Sequence, residues 1–194
     1  DRILFGQDNK AIIMSRSKVV VVDLNTYQQS FEAPLTLDAD QNIDPSGAEL
    51  AYDIDSQSEI LLLTVENSAD LYMLNWKDEF WNIGDLGAVP TGMGVDAETG
   101  KSVFVFGSSS KAIVLNNSEL STLNSSSIQT IDLEEPSNKT LVANKSALLF
   151  NDSNDYVHDV YRIDLETSEL TEYVAENPIS SLKLNADGSK AVAV

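Results

Sequence analysis

A chain of 194 residues, 42% hydrophobic and 22% charged, is long enough for one full core or a run of small repeated units. Its 31 acidic against 12 basic residues leave a net charge of −19, which repels phosphate backbones and makes nucleic acid and anionic membranes poor partners. With no cysteine, disulfides, zinc–thiolate centres and thiol catalysis are excluded. Cations, metal ions and basic protein patches fit the charge better, although acidity also serves plain solubility.

In chain order, the apolar segments are short and rich in β-branched residues. They are "KVVVVDL" at 18–24, "ILLLTV" at 60–65, "SVFVFG" at 102–107, "AIVL" at 112–115 and "ALLF" at 147–150. Each is bounded by Asn, Asp, Ser or Gly, which is the pattern of strands, and none is long enough to span a bilayer. No long stripe of helical period occurs, so the chain is expected to be all-β.

The strands repeat. "KVVVVDLNTYQQSFEA" (18–33) and "DVYRIDLETSELTEYVA" (159–175) are each an apolar strand, then Asp-Leu, a polar turn and a second strand. "DLYMLNWKDEFWNIG" (70–84) and "KAIVLNNSELSTL" (111–123) repeat the form more loosely. Alignment gives one column of turn-starting residues, Asp23, Asn75, Asn116 and Asp164, at gaps of 52, 41 and 48 residues. Asp and Asn suit that place because their short side chains bond the backbone two residues on. The strand before each member, and a fifth strand at 191–194, follows a tight polar turn: "QDNK", "SQSE", "AETGK", "ANKS" and "NADGSK". Asp187-Gly188 in the last is a strong hairpin signal.

This repeat resembles the β-propeller families of the YVTN and WD40-like kind. Their blades run from a "DG-K" hairpin into an apolar strand that ends in "ID-T", as "LKLNADGSKAVAV" (182–194) and "VYRIDLETSELTEYV" (160–174) do here. The Trp-Asp and Gly-His pairs of true WD40 repeats are absent, and a β-sandwich with irregular hairpins is the alternative. The resemblance implies a single propeller domain of four-stranded antiparallel blades. Its expected units lie at about 1–37, 48–88, 89–135 and 136–177, with a partial fifth at 179–194. A fifth unit that stops after its second strand, and a chain that opens on Asp1, read as a piece of a larger ring.

Candidate chemistry is sparse. "DADQNIDPSGAE" (38–49) puts Asp38, Asp40, Asn42 and Glu49 at the first, third, fifth and twelfth places of a calcium-loop pattern. The sixth place, which needs Gly, holds β-branched Ile43, and no helices flank it. The segment therefore reads as an acidic turn that could take calcium weakly. A second divalent-cation candidate is Asp152, Asp155, His158 and Asp159, around the sole histidine. The glycines of "GMGVDAETG" (92–100) sit at a strand–turn–strand position with no helix to follow, so no phosphate cradle is expected. No "GxSxG" elbow is present. Both tryptophans fall in the aromatic cluster Tyr72, Trp76, Phe80 and Trp81. Burial between blades accounts for part of it, and Trp76, Phe80 and Trp81 are the candidate ligand contacts. Five Asn-x-Ser/Thr sequons begin at Asn116, Asn124, Asn138, Asn144 and Asn151.

These features favour a non-enzymatic binding or scaffold module outside the cytoplasm that recognises a protein or glycan through its loop face. Two alternatives stand beside it. One is a lactonase- or glycosidase-like hydrolase or lyase with an acidic, calcium-assisted site; the other is a structural subunit of a surface assembly. An active site predicts polar groups converging near the axis, whereas both non-enzymatic readings place the informative surface at the rim.

Overall fold

The computed structural model of the chain describes residues 2–5, 9–15, 18–34, 50–55, 59–65, 67–75, 77, 80–122, 127–185 and 188–194. At 2, 50–55, 80–81 and 121–122 it describes the backbone. Among the described residues the regular structure is β apart from one short 3-10 turn, Asn117–Thr122. Two compact units divide the chain, Asp1–Asp85 and Leu86–Val194.

The first unit holds two four-stranded antiparallel sheets. One is β1 (Arg2–Phe5), β2 (Lys10–Met14), β3 (Lys18–Asp23) and β4 (Gln28–Pro34), paired in chain order. The other is β5 (Leu50–Asp55), β6 (Ile60–Val65), β7 (Asp70–Asn75) and β8 (Phe80–Asp85), also in order. Ile12, Met14, Val19 and Val21 pack against Leu61, Leu63, Tyr72 and Leu74, so the two sheets share one core. Leu61, Leu62 and Leu63 are all fully buried, so both faces of β6 are covered. A strand covered on both faces has no polar side, which is why "ILLLTV" shows no alternation.

The second unit repeats the plan. Its first sheet is β9 (Gly92–Asp96), β10 (Lys101–Phe106), β11 (Ser109–Asn116) and β12 (Ile128–Asp132). The next is β13 (Lys139–Ala143), β14 (Ser146–Phe150), β15 (Asp159–Asp164) and β16 (Leu170–Val174). A two-stranded sheet follows, β17 (Leu182–Leu184) with β18 (Ala191–Ala193). Val103, Val105, Ala112 and Val114 of one four-stranded sheet meet Ala147, Leu149, Tyr161 and Ile163 of the next. Burial of each valine, leucine or isoleucine in this stack contributes roughly 1.5–3 kcal/mol, and of each alanine methyl about 0.8 kcal/mol.

Turn chemistry follows the repeat. In every four-stranded sheet the third strand ends on the aligned Asp or Asn. Asp23 Oδ1 accepts from the N–H of Asn25 (2.8 Å), Asn75 Oδ1 from Lys77 (3.0 Å) and Asn116 Oδ1 from Ser118 (3.3 Å). Asp164 Oδ1 accepts from Glu166 and Thr167, both at 3.0 Å. Each of the five turns entering a second strand contains a residue at positive φ: Asn9, Glu59, Gly100, Asn144 with Lys145, and Gly188. Left-handed backbone at most of these turns thus falls on residues other than glycine, and Asn is the type best suited to it.

The Thr167 and Asn25 amides hold the carboxyls of Asp164 and Asp23 below the usual carboxylate range. A depressed folded-state pKa supplies stability that is present above the ordinary carboxylate pKa and lost as pH falls through the depressed one. Asp164→Asn keeps an acceptor oxygen and removes the charge. The variant is expected to melt below wild type at neutral pH, with the gap closing as the pH falls into the acid range. Thermal melts across pH check this, and a pH-independent gap contradicts it.

Candidate functional site

The connections Leu133–Asn138 and Asn151–His158 flank β13 and β14 at one end of the second unit, since Lys139 lies opposite Phe150. The longer one is braced from inside. Asn138 Nδ2 donates to Asp152 Oδ1 (2.8 Å) and to Ser153 Oγ (2.9 Å), and Asn138 Oδ1 accepts the Asp152 N–H (3.1 Å). Buried Asn151 donates from Nδ2 to the Pro136 carbonyl (2.9 Å), while its Oδ1 accepts the Ser153 N–H (3.1 Å). These two amides begin sequons, and both are occupied in tying one connection to the other.

The tip is a second small turn. Asn154 accepts the Tyr156 N–H at Oδ1 (3.0 Å) and the Val157 N–H at its carbonyl (3.1 Å). Val157 is buried and pins the descending limb, so its neighbour Tyr156 stands 94% exposed on a fixed backbone. An aromatic side chain in the middle of a polar loop is the sequence signal for this residue, and strand periodicity does not reveal it.

Below the loop, Tyr161 is buried, with its hydroxyl as a junction. It accepts the Glu135 N–H at 2.8 Å and donates to Asp159 Oδ2 at 3.4 Å. Burial pushes the Tyr161 hydroxyl up to about 12, and Asp159 and Glu172 add to the shift. The Glu172 carboxyl is raised too, first by burial and then by the charges of Glu134 and Asp159. This end of the unit therefore carries a negative field that suits a cationic partner group.

At the opposite end, Lys145 bonds Glu166 (2.8 Å) and Glu98 (3.1 Å), which hold its ammonium above the usual lysine range. Lys101 Nζ donates to the Leu165 carbonyl at 2.5 Å. These two lysines fasten neighbouring sheets of the second unit turn to turn.

Three of the four predicted cation ligands around the histidine, Asp152, His158 and Asp159, make local side-chain bonds. Asp152 bonds Asn138 and pairs with Lys139 at 3.8 Å, His158 Nε2 lies 3.2 Å from the Asp155 carbonyl, and Asp159 takes the Tyr161 hydroxyl. Among the described residues, no group of three or more His, Asp or Glu is placed to hold a metal ion. Asp38, Asp40, Asn42 and Glu49 lie outside the described residues, as does Trp76. Phe80 and Trp81 lie on β8, where their backbones pair with Asn75 and Leu74. Tyr72 of the same cluster is buried in the core of the first unit, and burial, with Asp70, pushes its hydroxyl up to about 12. No described helix is long and apolar enough to cross a membrane.

Known structures of similar shape identify the class. Hsv2 of Kluyveromyces lactis matches at 11% identity with a TM-score of 0.61, over 98% of this chain and 55% of that one. AztD of Citrobacter koseri matches at 9% identity and 0.63, over 91% and 47%. Hydrazine synthase of Kuenenia stuttgartiensis matches at 12% identity and 0.62, over 97% and 53%. Hsv2 and AztD are WD40- or β-propeller-like, and this chain is likewise all-β, built of four-stranded antiparallel propeller blades. It spans about half the length of the solved structures it matches. At such identities the likeness is one of fold alone. No family model matches the chain, and no curated protein matches it.

Proposed function

We infer that this chain is a non-enzymatic binding or scaffold module, one that presents a rigid loop face to a protein or glycan outside the cytoplasm. Tyr156 carries the reading. It is a large amphipathic side chain, exposed on a loop whose bonds are already made. Such a residue offers contact area at little cost in ordering, which is how aromatic anchors act in recognition loops. The chain's net charge of −19 favours basic groups around that anchor. Trp76, Phe80 and Trp81 are proposed as further ligand contacts on the first unit.

Arrays of glycans and of basic peptides, probed with wild type and Tyr156→Ala, test the reading. Truncation at so exposed a site is expected to move stability by less than about 0.5 kcal/mol. Affinity for the ligand found should drop about tenfold or more, the loss typical of an anchor residue. Binding that Tyr156→Ala leaves intact, or no ligand in either class, overturns it.

A further inference from the structure

Five sequons run through the chain, and the fold treats them unequally. Asn124 lies outside the described residues. Asn151 is buried, with Nδ2 donating to the Pro136 carbonyl. Asn138 spends its Nδ2 on Asp152 and Ser153 together. Asn116 is half-buried; its Nδ2 donates to Glu119 at 3.2 Å and its Oδ1 takes the N–H and the hydroxyl of Ser118. A sugar on Nδ2 replaces one amide hydrogen and adds bulk. At Asn138 and Asn151 it would break the bonds that tie the two connections together.

Asn144 is different. It begins the sequon Asn144-Lys145-Ser146 at the two-residue tip of the β13–β14 hairpin, where Ala143 lies opposite Ser146. Both tip residues are left-handed, at φ 50° and 58°, a backbone that Asn tolerates better than most side chains. Lys145 turns to Glu98 and Glu166. Asn144 is exposed, and among the described residues its side-chain amide makes no hydrogen bond. The tip stands at the far end of β13 from Asn138 and the Tyr156 loop, about 13 Å along the strand. Bulk at that tip leaves the recognition loop open.

We propose that Asn144 is a site of N-glycosylation, a proposal that rests on the reading of this chain as one displayed outside the cytoplasm. The donor is a lipid-diphosphate-linked oligosaccharide. Asn144 Nδ2 bonds to C1 of the first sugar as the bond from C1 to the diphosphate oxygen breaks. The lipid diphosphate leaves, and the amide proton passes to a base on the transferase. Ser146 completes the acceptor motif, and in the folded chain its hydroxyl accepts from Arg162 Nη2 at 2.8 Å. The sugar covers a polar turn with a solubilising group, at the end away from Tyr156.

The native protein, isolated from the organism that makes it with its cell fraction recorded, tests this. Its glycopeptides are mapped by mass spectrometry, with fragmentation that leaves the sugar on its residue. Sugar is expected on Asn144, with Asn138 and Asn151 bare. Asn144→Asp and Asn144→Gly, both at home in left-handed backbone, should lose that sugar and still melt cooperatively. Bare Asn144 in protein recovered from outside the cytoplasm overturns the proposal and leaves the reading of location standing. Recovery from the cytoplasm alone overturns both. Sugar on Asn138 or Asn151 of the folded protein overturns the selection of sequons by the fold.

Discussion

Leu149→Ala is expected to lower the stability of the folded chain by about 2–5 kcal/mol, the range for emptying a well-packed leucine site. Leu149 is fully buried on β14 and belongs to the cluster that joins the sheets β9–β12 and β13–β16. Its neighbours are strand residues such as Tyr161 and Ile163, which are fixed by their own ladder bonds. They cannot easily collapse into the space, so the cavity term adds to the lost transfer energy. The same cluster seats Tyr161, whose hydroxyl holds the Glu135 amide. Loosening it should therefore also raise amide exchange at Glu135. Denaturant unfolding measures the loss, and a change below about 1 kcal/mol would mean that the two sheets are not packed as described.

Gly92→Ala is the second large effect, and its sign is the informative part. In an ordinary strand, alanine is favoured over glycine by roughly 0.5–1 kcal/mol, because glycine loses more backbone freedom on folding. Here a Cβ at position 92 would lie 2.8 Å from Val105 Cγ2, and also 3.0 Å from the Asn138 carbonyl oxygen and 3.2 Å from the Lys139 Cα. The last two are backbone atoms of β13 or its approach, so they cannot step aside as a side chain would. Overpacking of this kind costs about 1–3 kcal/mol, and it outweighs the entropy gain. The net expectation is a destabilised variant. Gly94→Ala is the control, since its Cβ would meet side chains alone, pressing on Val142 and reaching Thr140 Cγ2 at an ordinary 3.5 Å. The Val142 side chain is stiff at χ1, so the single variant should also lose stability, and adding Val142→Ala should restore part of it. A Gly92→Ala protein more stable than wild type would place β9 farther from β13 than this account has it.

These glycines show how far the sequence could be read. "GMGVD" was legible as a strand rather than a phosphate loop, because no helix could follow it. Its period-two glycines mark one strand face that approaches another backbone, and a single chain does not say which one. The second strands were the easiest to find, because burial on both faces leaves an unbroken apolar run, as in β6 and β10. The third strands came from the Asp/Asn column, whose side chains make the local bonds that their chemistry suggests. Fourth strands were harder: β4 and β16 are mostly exposed, and their polar residues resemble loop. Positive φ at Glu59 and Lys145 has no composition signal at all.

The candidate site was less legible than the fold. The segment 151–159 drew attention through His158 and its aspartates, as a possible cation site. In the structure Asp152 and His158 make bonds within this end of the unit, and Tyr156 is the exposed aromatic of the same segment. Whether an aspartate faces an amide or a ligand depends on where the chain folds it, and spacing in a flexible polar stretch does not encode that. Asn138 illustrates the same limit. It lies 14 residues from Asp152, yet it is the main clamp on the loop.

The most direct test of the central claim is site-specific photo-crosslinking in the organism that makes the protein. A benzophenone side chain is placed at position 156 in one variant and at position 27 in another. Tyr27 is a fair comparison, because it too is highly exposed, 83% against 94%, and sits at a positive-φ turn away from the braced loop. A discrete crosslinked protein or glycoconjugate is expected from position 156 and none from position 27. Equal capture from both positions, or none from 156, would contradict the assignment of the loop as the recognition surface.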